Sequence, residues 1–296
     1  MERIGELAAF AAAICWTLSA VFFEQGIKRL GVLTVNFYKV LIAFVLLTIT
    51  ATLSRGMPLP LDAPKNTVIF LSLSGLVGFV IADNFLLSAY STVGPRVAML
   101  FMALSPFMTG GIAYIFLGEK IGPKGLFGMV LVIAGIIITV FGKNGFAIFK
   151  IAREDRRGYI FAFCSSLGQS VGMSLTKIGV AGYNPVSGTQ IRTFTAIVGF
   201  GLISLFLHRG QNIRKAMKNP ASLKYIAIGS VFGSFIGVVL ILFAMQSTSA
   251  GIVSTLIGLT PVLILVPDIF VLKKKVKALE IAGAIIAVCG TVVFFL

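Results

Sequence analysis

Charge is scarce in this chain. Asp, Glu, Lys and Arg together make 12% of 296 residues, and only 10 of them are acidic. A soluble domain carries about 25% charge, so the two soluble domains that the length alone would suggest are excluded. Histidine occurs once, at His208, and cysteine three times, at Cys15, Cys164 and Cys289, each inside an apolar stretch. That excludes a disulfide framework and a His/Cys metal centre, and neither a metal nor a cofactor is expected. No His-Glu helix pair occurs, and no glycine loop ends in Gly-Lys-Ser/Thr. Gly199-Phe200-Gly201 lies in an apolar run as packing, and His208 beside Arg209 reads as a solvated residue. The chain is not expected to be an enzyme.

Apolar residues fill the space: they make up 57% of the chain, and the mean hydropathy is +1.01. A bilayer core about 30 Å thick needs roughly 20 such residues per helix. By that ruler the chain offers ten spans, near 4–24, 32–53, 67–90, 96–117, 124–142, 158–178, 186–207, 223–245, 251–272 and 277–296. Continuous apolarity of this length contradicts the alternation of a membrane barrel. The first run continues through Phe22-Phe23 behind the weakly basic Met1-Glu2-Arg3, so it is read as a helix of the mature protein rather than a signal peptide. The expected fold is an all-α integral membrane protein of ten transmembrane helices.

The chain also repeats itself. A shift of 155 places Pro106 on Pro261, Gly128 on Gly283, Gly135 on Gly290 and Ala89 on Ala244; a shift of 153 places Gly5 on Gly158, Gly26 on Gly179 and Lys39 on Arg192. Two five-helix units are expected, 1–145 and 146–296. An odd number of crossings per unit inserts the second upside down. Inverted repeats of this kind are an architecture of secondary transporters, with the substrate near the midplane where the units meet. The plain alternative is a duplication kept only for packing.

Ala82-Asp83-Asn84-Phe85, Ser88-Ala89-Tyr90, Gly94-Pro95-Arg96, Leu104-Ser105-Pro106 and Leu117-Gly118-Glu119-Lys120 resemble the EamA-type permeases of the drug/metabolite transporter superfamily. The resemblance covers essentially the whole chain. It implies a multi-pass plasma (inner) membrane carrier of small organic metabolites, often an exporter, with both termini cytoplasmic. Amino acids, sugar phosphates, nucleotide sugars and drug-like amines all fall within that range. One departure is Lys274, which stands in the second unit where Glu119 stands in the first.

Ionisable residues inside spans are the first candidates for function, because burying one costs some 2.5–3.5 kcal/mol. Asp83 shares a helix face with Phe79 and Tyr90; it could exchange a proton or oppose an amine. Its plain alternative is an acid satisfied by hydroxyls in a wet vestibule. Lys39 and Arg192 are repeat mates, expected toward opposite membrane faces and not beside each other. Each could attract a carboxylate or phosphate, or else snorkel to the headgroups. Trp16 and Gln169 are also mates, at mid-depth, as a cavity wall or as packing. Pro106 and Pro261 are expected as paired kinks along the pathway. Asp268 is expected to pair with Lys273-Lys274-Lys275. The glycine spacings, Gly229/Gly233/Gly237 among them, are read as helix packing.

The formal charge of +15 then becomes a topology signal. Between the expected spans, five Lys/Arg fall on the side holding both termini and seventeen on the other. The positive-inside rule places the seventeen in the cytoplasm and the termini outside, against the orientation the resemblance implies. The expected function is secondary transport of a small polar solute, such as an amino acid, by alternating access with proton coupling. A receptor or scaffold on the same fold, and a sugar-phosphate or nucleotide-sugar antiporter, are the alternatives. The partners expected are a small-molecule substrate, the lipid bilayer and protons, in a monomer or homodimer, with no nucleic acid.

Overall fold

In lipid the backbone must satisfy its own hydrogen bonds, so long apolar runs become helices. The computed structural model describes residues 2–92, 101–102, 104–144, 156–206, 220–263, 266 and 276–295, and among them every regular element is helical. In chain order these are α1 (Glu2–Leu30), α2 (Val32–Arg55), α3 (Lys65–Ser74), a π-helical segment (Gly75–Ala82), α4 (Asp83–Thr92), α5 (Ser105–Leu117), α6 (Pro123–Asn144), α7 (Arg156–Val180), α8 (Pro185–Phe206), α9 (Pro220–Ser230), a second π-helical segment (Val231–Gly237), α10 (Val238–Ser247), α11 (Ala250–Ile257), α12 (Thr260–Leu263) and α13 (Ala278–Phe295).

Four stretches among the described residues are long and apolar enough to cross a bilayer: Val32–Arg55, Lys65–Leu86, Pro185–Phe206 and Leu223–Ser247. Shorter apolar helices, Ser105–Leu117, Pro123–Ile138 and Ala278–Gly290, accompany them. α7 has the length but not that apolarity, because Ser165, Ser166, Ser170, Ser174 and Thr176 line its inward face. Each of these hydroxyls makes a hydrogen bond, several to the carbonyl one turn back. The outer surface is apolar, with Leu53, Ile115, Phe116 and Phe206 all strongly exposed, as lipid-facing side chains should be.

Helices do not gain hydrophobic energy from one another inside a bilayer; they gain contact, and contact needs small residues. The first helix of each half packs on the third-helix region of the other: α1 on α9, α10 and the segment between them, α7 on α3, α4 and the segment between them. The contacts come in mirrored sets. A methyl added at Gly26 would meet Ile226 at 3.1 Å, and at its mate Gly179 would meet Leu71 at 2.7 Å. At Gly172 it would meet the Cα of Gly78 at 3.1 Å, and at Gly233 the side chain of Ser19 at 2.6 Å. α2 packs on α8, and α6 on α13 through Gly135 and Gly290. Mirrored pairing is what an inverted duplication produces when two copies meet about a common axis.

The two prolines depart from the expected mid-helix kinks. Leu104 lies in a turn and α5 begins at Ser105, with Pro106 in its first turn. A turn at Gly258 and Leu259 likewise ends α11 before α12 begins at Thr260 and Pro261. A first-turn proline loses no hydrogen bond, since its N–H would have had no partner there. The prolines therefore restart broken helices rather than bend continuous ones.

Candidate functional site

A cavity of about 340 Å³ opens among the middles of these helices. Trp16, Lys39, Phe79, Asp83, Pro106, Gln169 and Arg192 all border it. α1 contributes Trp16, α2 Lys39, the first π-helical segment Phe79, α7 Gln169 and α8 Arg192, while Asp83 begins α4. Tyr90 belongs to α4, but its side chain lies outside the described residues, as does that of Pro261; Asp268 and Lys273-Lys274-Lys275 also lie outside them.

The wider turns of a π-helix shift the side chains that follow it and loosen carbonyls from the ladder, and such segments cluster at functional sites. Here the carbonyl of Gly78 accepts from Gln169 Nε2 at 3.4 Å, and that of Val80 accepts from Asn84 Nδ2 at 2.7 Å. Asp83 follows directly. Its Oδ2 accepts from Lys39 Nζ at 2.9 Å and its Oδ1 from Gln169 Nε2 at 3.0 Å. Both carboxylate oxygens are thus occupied by protein donors. Neither the hydroxyl-satisfied acid nor the snorkelling lysine of the sequence reading is what this geometry holds.

Arg192 is treated differently. It is 5% exposed, its guanidinium lies over the Phe79 ring at 4.6 Å from the centroid, and its buried Nε meets no hydrogen-bond partner among the described residues. A cation–π contact is worth about 2 kcal/mol when desolvated, whereas burying a cation costs several. Asp83 acts on this guanidinium through charge, but no side chain bonds its buried Nε. Two cations, Lys39 and Arg192, stand against one carboxylate, Asp83, among the lining residues.

The expected separation of Lys39 and Arg192 to opposite faces fails. Each is the eighth residue of its helix, about 10 Å from that helix's start at 1.5 Å per residue. α2 and α8 are packed on each other, and their long side chains reach inward to one chamber instead of outward to the headgroups.

At one end of the bundle, polar contacts tie the connections together. Glu119 takes Lys177 at 3.3 Å and caps α11 by accepting from the Ala250 N–H at 2.9 Å, while Lys177 also donates to the Thr248 carbonyl at 2.7 Å. Arg55 binds Asp62 and Ser187, Tyr183 donates to Asp62 at 3.0 Å, and Gln246 donates to the Tyr183 carbonyl at 2.6 Å. The Arg55 guanidinium holds the Asp62 carboxyl below the usual carboxylate range, and burial pushes the Tyr183 phenol up. The sequence reading missed this cluster. The repeat register carried a signal for part of it: Glu24 corresponds to Lys177 and Lys274 to Glu119, so the two positions exchange their charges between the halves.

Comparison with known proteins agrees with this architecture. The model of the EamA-like transporter family matches residues 3–141 and again 156–296. An uncharacterized transporter from Archaeoglobus fulgidus is 23% identical over 287 residues, covering 94% of this chain and 92% of its own length. One crystal structure superposes with a TM-score of 0.78 at 18% identity, over 98% of this chain and 95% of the other; that likeness is one of fold.

Proposed function

Because the chain belongs to the EamA-like transporter family, we propose that it is a secondary transporter carrying a small polar organic metabolite through the central cavity by alternating access. The observation that carries this reading is the cavity itself. It is a mid-helix chamber with apolar walls where Lys39, Asp83, Gln169 and Arg192 converge, and charge inside a membrane marks a substrate or ion path by default.

In this cycle the contacts of Glu119 with Lys177, of Arg55 with Ser187 and of Tyr183 with Asp62 close one end while solute occupies the chamber. They must separate when that end opens, because they bridge elements of the two halves. The broken helices around Pro106 and Pro261 let their segments tilt independently. A proton delivered to Asp83 would neutralise it and release Lys39, which links occupancy to the proton gradient.

The test is flux in proteoliposomes holding the purified chain. Saturable uptake of at least one amino acid, carboxylate, amine or phosphate metabolite is expected, driven by an imposed pH gradient and lost in Asp83→Asn. No saturable flux for any of these classes would sink the carrier reading and leave a receptor or scaffold. Flux with unchanged pH dependence in Asp83→Asn would remove the proton step alone.

A further inference from the structure

We infer that the cavity takes a small organic monoanion, a carboxylate on an apolar body, with Arg192 as the group that holds the carboxylate. The proposal deepens the transport reading and rests on it for its biological sense, although binding can be measured without flux.

Among the described residues, three ionisable side chains line the cavity, Lys39, Asp83 and Arg192. Asp83 has one oxygen on Lys39 and the other on Gln169. An amine or the ammonium of a zwitterion entering here finds no free acid among the lining residues. Arg192 is the reverse case, more than nine-tenths buried with its Nε unpartnered. Its guanidinium carbon lies over the Phe79 ring, and a cation–π contact leaves the N–H donors of a guanidinium available to an acceptor. Those donors form a planar fork that matches a carboxylate with two parallel bonds.

The charge count sets the ligand's valence. Two cations against one carboxylate leave one positive charge, which a monocarboxylate neutralises and a dianion such as phosphate overshoots. The walls set the rest. Trp16, Phe23, Leu86, Val238 and Ile241 are apolar, Ser234 and Thr260 add hydroxyls, and about 340 Å³ is at the small end of organic-ligand sites.

Trp16 is the only tryptophan in the chain and borders the cavity, so its fluorescence reports an occupant. The purified full-length protein in detergent is titrated with cyclohexanecarboxylate, cyclohexylamine, leucine and inorganic phosphate. The first two share an apolar body and differ in the sign of charge. A saturable change is expected with the carboxylate at a Kd at least tenfold below the other three. Arg192→Gln should weaken it by about 10- to 150-fold, the loss of a charged hydrogen bond, and Arg192→Lys by less, since an ammonium keeps the charge without the fork.

Tighter binding of the amine, leucine or phosphate overturns the proposal. So does the absence of a saturable response to the carboxylate, or unchanged affinity in an Arg192→Gln protein that elutes and melts as folded. If that variant does not fold, the ligand order on the unaltered protein decides alone. Carboxylate binding without any flux sinks the transport reading and keeps this one. Saturable amine flux that the carboxylate does not inhibit does the opposite.

Discussion

Removing either member of the Lys39–Asp83 pair should cost more stability than removing both. The ammonium and carboxylate are 2.9 Å apart, each side chain 16% exposed. At an effective dielectric near 20 the gross attraction is about 6 kcal/mol, most of it offset by the desolvation of both ions. Deleting one charge keeps the desolvation cost of the other and loses the attraction. Such single losses run 3–5 kcal/mol for buried pairs, and the residual exposure places this pair near 3 kcal/mol. Asp83→Asn keeps an oxygen for Gln169, so the charge alone is removed; Lys39→Met keeps the stem. Replacing both, as Lys39→Met with Asp83→Leu, removes both desolvation costs and should fall within about 1 kcal/mol of the starting protein. The assay is thermal unfolding in detergent, followed by Trp16 emission. At about 2–4 °C per kcal/mol, each single variant should melt roughly 6–12 °C lower and the double within a few degrees. Single variants that melt unchanged, or a double variant as low as the sum of the singles, would refute the reasoning.

Three further outcomes are expected. Glu119→Lys should reduce flux strongly, and adding Lys177→Glu should restore much of it, because the swapped pair recreates the contact with the charges that the repeat-equivalent positions, Glu24 and Lys274, carry in the sequence; proteoliposome uptake measures this, and no recovery in the double variant counts against a closing contact. The Asp62 carboxyl is held below its ordinary value by Arg55, so the stability it adds is present above about pH 4 and is lost as pH falls further through its folded value. Melting temperature against pH should therefore show Asp62→Asn below the unaltered protein at neutral pH and converging with it under acid; a gap that persists at pH 2 would contradict this. Gly237→Ala places a methyl 2.7 Å from Trp16 Cδ1, so it should cost about 1–3 kcal/mol by overpacking and shift the Trp16 emission maximum; an unchanged spectrum and melting point would show that the indole does not sit there.

Legibility varied with the range of the interaction. The duplication could be read directly, because equal-shift identities such as Pro106 with Pro261 need no structure, and the family model matches the chain twice, at 3–141 and 156–296. Asp83, Lys39, Gln169 and Arg192 could be named because an ionisable or amide group inside an apolar run is conspicuous wherever it points. Their partners could not. Lys39 and Asp83 are 44 residues apart, Lys177 and Glu119 are 58, and nothing in either neighbourhood specifies the other. The expectation for the prolines erred for a local reason: a proline within a long apolar run reads as a kink, while the turn just before it is decided by packing.

What the amino-acid order determines by itself is the solvent, the helical backbone and the two-fold repetition, since each follows from local apolarity or from self-comparison. Only the tertiary structure decides which side chains meet: that Asp83 is taken by Lys39 and Gln169, that Arg192 lies over Phe79 with its Nε unpartnered, and that Glu119 caps α11. The physical reason lies in the bilayer. A helix in water announces its inward face by an apolar stripe, but here lipid and protein interior are both apolar. Helix rotation is therefore set by close contacts at small residues, such as Gly172 against Gly78, and those contacts exist only once the halves have come together.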